Sequence, residues 1–338
     1  MNDTAGPLER RRLVIVTGKG GTGKTAVSAA LALGAAARGK RVLVAAVDPD
    51  ARLAALLGPR PAPLTYQPAL ARPNVWVCHI EPFEALGEYL GLQLGMRRLV
   101  DPILRQRGFR QLLLAAPGWR ELITLGKVWH LEQMEEGASR AQRAEGERRP
   151  EGRPRFDLIV VDAPATGHSL TFLDVPRVVV SAVRAGPLRH HTERVEALIE
   201  DHERTLLLPV AIAEELPARE TVELVDRARR SLGVAIERIV VNAVHEPPYP
   251  DDLADLDRRL AALPGDAPLG ALPPPRALAA CGSALRARAE LNRHHARAIA
   301  QETGLPTVTL PYLRDGLRGP DDAGRLADSL YAGLEADA

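Results

Sequence analysis

Residues 13–25 read LVIVTGKGGTGKT, an apolar run followed by a loop rich in glycine, lysine and threonine. The run is continuously apolar, as a strand buried on both faces requires. The next eight residues, GKGGTGKT (18–25), follow the pattern glycine, four residues, glycine, lysine, then Ser or Thr. That pattern suits phosphate binding. Glycines allow backbone N–H groups to converge on phosphate oxygens with no Cβ in the way. A helix opening near Lys24 adds its positive N-terminal end. Lys24 is then the point charge for the β- and γ-phosphates, and the Thr25 hydroxyl is a ligand for Mg²⁺. Gly18, Gly20, Gly21, Thr22, Gly23, Lys24, Thr25 and Ala26 are the expected nucleotide contacts.

Gly18, Gly20 and Gly23 also satisfy the shorter pattern G-x-G-x-x-G of dinucleotide sites, and Asp48 ends the next strand where a ribose-binding carboxylate belongs. The complete eight-residue loop is the more specific pattern and favours a nucleoside triphosphate.

The chain has 338 residues, of which 46% are hydrophobic and 4% aromatic, so its core must be built from Ala, Leu and Val. Basic and acidic residues number 44 and 43, which gives no electrostatic case for a nucleic-acid partner. The lysines are Lys19, Lys24, Lys40 and Lys127; the other basic residues are arginines, so two lysines within one loop suggest that a compact ammonium is needed there. Cys78 and Cys281 form neither a disulfide framework nor a C-x-x-C pair, and a reducing cytosol fits. Residues 1–12 lack the apolar core of a signal peptide, and the small-apolar stretch 26–37 is too short to span a bilayer. The expectation is a soluble, cytoplasmic protein without stable membrane insertion.

Strands are expected at 13–16, 41–47, 74–80, 156–161, 206–211, 236–241 and 307–310. Helices are expected at 24–38, 219–232, 283–302 and 321–334. Alternation of this kind predicts an α/β fold, a doubly wound, mostly parallel sheet forming one domain over 1–338. Residues 82–136 turn helical, with Trp119, Leu122, Ile123 and Gly126 at i, i+3, i+4 and i+7. They read as a helical subdomain inserted between strands, its leucine stripe serving as internal core rather than as a client groove. Residues 139–155 are charged and without aromatics, the composition of a disordered loop.

Asp162 ends an apolar strand, where a carboxylate is costly unless it holds an ion or caps a turn; it is the expected second metal-site residue. Thr166 and Gly167 can present a backbone N–H to the γ-phosphate, and His168 either hydrogen-bonds a residue that touches the nucleotide or acts in catalysis itself. Asp48 faces the same crevice and can orient or deprotonate the attacking water, with a place at the metal. Asn242 also ends a strand, and its amide suits an adenine edge as well as an ordinary turn. Cys78 and His79, adjacent on a strand, point to opposite faces and cannot chelate together. The doublets His190-His191 and His294-His295 read as solvated helix faces.

GKGGTGKT, DPDARL (48–53) and VVDAPATGHSLTFL (160–173) together resemble the deviant Walker A group of P-loop ATPases. Within it the chain is similar to the family of the arsenite-pump ATPase and the guided-entry ATPase of tail-anchored proteins. APGWRELITLGKVW (116–129), EELPARETVEL (214–224) and VVNAV (240–244) are similar to that family too, so the likeness covers most of the chain. The resemblance implies that Lys19 reaches across a dimer to the partner's nucleotide. It implies that Asp48 belongs to a first switch, that 162–168 form a second, that Asn242 contacts adenine, and that Pro311 and Tyr312 lie in an adenine loop. The first switch here reads Asp48-Pro49-Asp50-Ala51 where the family commonly has Asp-Pro-Ala-His or Asp-Pro-Ala-Ser. The chain lacks the cysteine triad of metalloid stimulation and the C-x-x-C of a zinc-bridged dimer, and three methionines do not make a Met-rich groove.

The expected function is a Mg²⁺-dependent ATPase, cycling between ATP and ADP, that works as a homodimer or a heterodimer with a paralogue and reports nucleotide state to a protein client. The rival classes are a positioning ATPase on membrane or DNA, a binding module with little turnover, and a dinucleotide enzyme. The acidic tail after Pro320 counts against the first of these.

Overall fold

The computed structural model describes residues 10–49, 51–58, 64–94, 97–136, 153–164, 169–250, 253 and 255–336. Asp50, Thr166, Gly167 and His168 lie outside these, as does most of the segment expected to be disordered. In chain order the elements begin with β1 (Leu13–Thr17), α1 (Lys24–Ala37), β2 (Val42–Ala46), α2 (Ala51–Leu57), β3 (Ala69–Arg72) and β4 (Val75–His79). Four helices follow: α3 (Pro82–Leu94), α4 (Arg97–Arg105), α5 (Arg107–Ala115) and α6 (Trp119–Glu132). Then come β5 (Leu158–Asp162), α7 (Ser169–Ala182), α8 (Pro187–Glu200), β6 (Thr205–Ile212), α9 (Glu215–Ser231) and β7 (Ile239–Val244). The chain closes with α10 (Leu256–Ala261), α11 (Pro275–Thr303), β8 (Thr307–Pro311) and α12 (Pro320–Ala336).

Eight strands form one sheet in the order β3-β4-β2-β5-β1-β6-β7-β8. All pairings are parallel except β3 with β4, an antiparallel edge outside the strands expected from sequence. The α/β, doubly wound expectation holds. Successive residues of each strand serve opposite faces, as the two-residue side-chain period demands. Val14, Val16, Val42, Val44 and Val160 pack with α1, α2 and α12 on one side. Leu13, Ile15, Leu43, Ile159 and Val161 pack with α6, α7, α8 and the end of α9 on the other. Tyr331 of α12 is buried against α1 and donates its hydroxyl to Leu31 O at 3.1 Å.

The sequence places β1, α1 and β2 in succession, but the folded sheet puts β5 between the two strands. Ala46 and Val16 both sit opposite Asp162 in the register, so three strand ends converge on one carboxylate. The four helices α3 to α6 fill the connection from β4 to β5. Of these, α6 belongs to the main core through Leu125, Val128 and Leu131. A separate small cluster of Leu86, Val100 and Leu104 joins α3 and α4. At the end of the expected disordered segment, Arg155 N–H donates to Met134 O at 2.8 Å and Pro154 bridges Glu135.

Several boundaries move. The helix expected at 283–302 begins two turns earlier, with Pro275 in its first turn, where a missing N–H costs nothing. α7 lies outside the helices expected from sequence and carries Pro176 in its interior, where the ring removes an N–H donor; the helix implied at His190-His191 is α8. β7 continues past Asn242 to Val244, with Ala243 at φ 56° and a register shift against β8.

Candidate functional site

The loop between β1 and α1 lies at the carboxyl edge of the sheet. Gly18 has φ 145°, and a Cβ there would overlap Val210 O of β6. Gly23 has φ 90°, and a Cβ there would overlap the amide of Asn242. Both positions therefore exclude a side chain on two counts, conformation and space. Thr22 Oγ1 donates to Lys19 O at 2.9 Å, closing the loop on itself. Asn242 Nδ2 donates to Thr22 O at 2.9 Å, tying the loop to β7. The amide expected at the base thus spends one donor on the loop and keeps its carbonyl oxygen.

Lys24 is buried at the start of α1, its ammonium donating to Gly18 O at 3.0 Å and Lys19 O at 3.1 Å. Burial pushes its pKa below the ordinary lysine value, opposed by the charges of Asp162 and Asp48. Thr25 Oγ1 donates to Asp162 Oδ2 at 2.8 Å, and Ser28 Oγ donates to Asp162 Oδ1 at 3.2 Å. A hydroxyl from the first turn of α1 and a carboxylate from the end of β5 thus stand side by side, 137 residues apart in sequence. Both are hard oxygen donors, the chemistry that suits Mg²⁺. Ser28, on the next turn of α1, was not singled out from the sequence; its signal is the i, i+3 spacing from Thr25.

Asp48 is exposed, two residues beyond the end of β2, and near enough to Lys24 to raise its pKa. Ala26 is half-buried in α1; Gly20 and Gly21 are exposed at the tip of the loop, Gly21 with φ 88°. Lys19 is also exposed, and its ammonium is paired with Glu220 of α9. Pro311 ends β8, and Tyr312 N–H donates to Val244 O at 2.9 Å. The Tyr312 ring stacks on His245 with centroids 4.3 Å apart, beside the strand that carries Asn242. The structure brings Gly18, Thr22, Gly23, Lys24, Thr25, Asp162 and Asn242 into one hydrogen-bonded or packed set.

The dinucleotide reading fails on topology. In that fold the ribose carboxylate ends a strand adjacent to the glycine-loop strand. Here β5 intervenes, which sets Asp48 two strands from β1, about 10 Å across the sheet. Residues 11–186 match the anion-transporting ATPase family. The chain belongs to that family. The match takes in the phosphate loop, the helices α3 to α6 and Asp162, more than half of the chain.

ATPase BagA of Mycobacterium tuberculosis is 32% identical over 234 residues, 68% of this chain and 64% of that one. An arsenical pump-driving ATPase of Escherichia coli is 26% identical over 249 residues, 68% of this chain and 38% of its own length. An uncharacterized protein of Streptomyces coelicolor, SCO2128, is 32% identical over 244 residues, covering 70% and 55%. The chain thus spans less than two thirds of the curated relatives it matches. Membership of an ATPase family implies nucleotide binding. Among the described residues no helix is long and apolar enough to cross a membrane.

One histidine departs from expectation. His191 is not a solvated face: it packs on Tyr89 and Trp129 and against Gly126, and burial pushes its pKa down to about 4. It is part of the seam between α6 and α8.

Proposed function

We propose that this protein is a cytoplasmic Mg²⁺-dependent ATPase in which two copies close on ATP and open after hydrolysis. The observation that carries the reading is the Thr25–Asp162 hydrogen bond behind a complete phosphate loop, with Lys24 buried beside it. Thr25 and Asp162 are the residues to hold magnesium, which supplies charge neutralisation across the β- and γ-oxygens. Among the described residues no cluster of three or more His, Cys, Asp or Glu is arranged for a metal. The remaining ligands are phosphate oxygens and water, the company Mg²⁺ prefers.

Lys24 leaves the carbonyls of Gly18 and Lys19 for the triphosphate, trading two neutral acceptors for charged ones. Asp48, exposed at the mouth, orients the attacking water and takes its proton. Lys19 serves the neighbouring copy's nucleotide, and Asn242, Pro311 and Tyr312 flank the base, with Gly167 at the γ-phosphate. The neighbour is a second copy of this chain or a paralogue. α3 to α5 report nucleotide state to a protein client; α5, with Leu112 and Leu114 outward, supports that part of the reading.

The test is ATPase turnover as a function of protein concentration. Wild type is expected to rise more steeply than linearly, and Lys19→Ala and Asp48→Asn to lose most turnover at all concentrations. Unchanged turnover in both variants overturns the mechanism.

A further inference from the structure

Lys19 is held at home. Its backbone carbonyl accepts from both Thr22 and Lys24, so the chain at Lys19 is pinned and only the side chain is free to swing. That side chain pairs with Glu220 within the same subunit. Glu220 rides on a helix anchored on either side of it: Ala218 and Val225 are buried, and Thr221 Oγ1 donates to Pro217 O at 2.7 Å. One carboxylate oxygen of Glu220 meets Lys19. The other, Oε2, is enclosed and takes no hydrogen bond among the described residues. Withdrawing Lys19 therefore leaves a partly enclosed carboxylate without its counter-charge, which is unfavourable.

We propose that Glu220 is a latch: it retains Lys19 in cis and sets the nucleotide and protein concentrations at which two copies pair. The inference rests on the reading that Lys19 acts in the neighbouring subunit. A free monomer keeps its two loop lysines apart, Lys24 inside on carbonyls and Lys19 outside on α9. Pairing needs the triphosphate of one copy to outbid Glu220 of the other for a single ammonium. A half-exposed pair biases such an equilibrium only by about two- to fivefold, enough to tune assembly without blocking it.

The experiment is sedimentation velocity with ATP and Mg²⁺ over a range of protein concentrations, run on wild type, Glu220→Gln, Glu220→Ala and Lys19→Ala. Two such pairs open per dimer, so both Glu220 variants are expected to tighten the dimer dissociation constant about four- to twenty-five-fold. Turnover at sub-saturating protein should rise by the same factor, with turnover per dimer unchanged, and the gain should shrink at 1 M salt, where the screening length is about 3 Å. A dissociation constant that is unchanged or weaker in both Glu220 variants overturns the latch, and so does a loss of melting temperature with no change in assembly. If Lys19→Ala pairs and hydrolyses like wild type, the underlying reading of Lys19 has failed; if only that variant is affected, the latch alone has failed.

Discussion

The phosphate loop and helix α5 are solved by opposite means. Around the loop almost every degree of freedom is taken: Gly18 and Gly23 abut neighbouring strands, Thr22 and Lys24 bond the loop's own carbonyls, and Asn242 secures it from β7. In α5 none of the residues is fully buried, and Leu112 is 68% and Leu114 54% exposed. The first region is specified by contacts within the chain. The second exposes apolar side chains, Leu112 and Leu114, that no described residue buries. The close-packed loop and the apolar excess on α5 are both departures from what stability alone selects, and they underlie the ligand and the client proposed above.

Lys24→Met strikes the loop hardest. It should lower turnover about 10²–10³-fold, as loss of one preorganised donor does, and steady-state kinetics will read it. The same lysine gives a pH signature. Its pKa in the folded protein lies below 10.5, so nucleotide affinity should fall with rising pH sooner than an ordinary lysine would allow. Without nucleotide, stability gains as pH rises through that window, because the unfolded chain there holds the extra proton.

Asp162→Asn should weaken the apparent affinity for Mg²⁺ about ten- to hundredfold, measured by magnesium titration of turnover or of nucleotide fluorescence. Wild-type magnesium dependence in this variant would remove the cradle.

In α6, the helix that follows α5, Lys127 lies buried 2.5 Å from Glu88 of α3, with the Tyr66 hydroxyl donating to the same carboxylate. Burial resists ionisation of Glu88, yet Lys127, Tyr66 and His130 outweigh it and hold its pKa below the usual carboxylate value. That stabilisation is present above about pH 4.3 and is lost as pH falls through the lowered value. Lys127→Met leaves Glu88 without its cation and should destabilise the protein by about 3 kcal/mol, seen in urea denaturation. The variant should also lose the wild type's acid-limb dependence.

The smallest effect belongs to α5. Leu112→Gln combined with Leu114→Gln should change stability by no more than about 0.5 kcal/mol and leave turnover intact, while client capture is lost. A large loss of stability would mean that the helix is core after all and would erase the contrast drawn here.

Reading ahead from sequence is most direct where one residue type has one physical use. Four glycines and two lysines after an apolar strand leave few alternatives, and Asp162 at the end of FDLIVV stood out because apolar strands rarely end on a carboxylate without cause. It failed where the deciding partner is remote. Nothing local pairs Lys19 with Glu220, 201 positions away, or tells which member of the His190-His191 doublet turns inward. Nor does adjacency in sequence reveal that β5 separates β1 from β2. The prolines of 250–275 hid the start of α11, where Pro275 occupies the first turn.

The central place of β5 has a consequence for biosynthesis. β1, the phosphate loop and β2 leave the ribosome early, but the strand that must lie between them is made more than a hundred residues later, about 5–20 s at ordinary elongation rates. Throughout that interval the nascent sheet has an open seam at its middle, and Thr25 has no Asp162 to bond. The intervening helices must therefore be set aside before the seam can close, and a ribosome stalled within them would hold a chain with its loop complete and no Asp162 opposite Thr25.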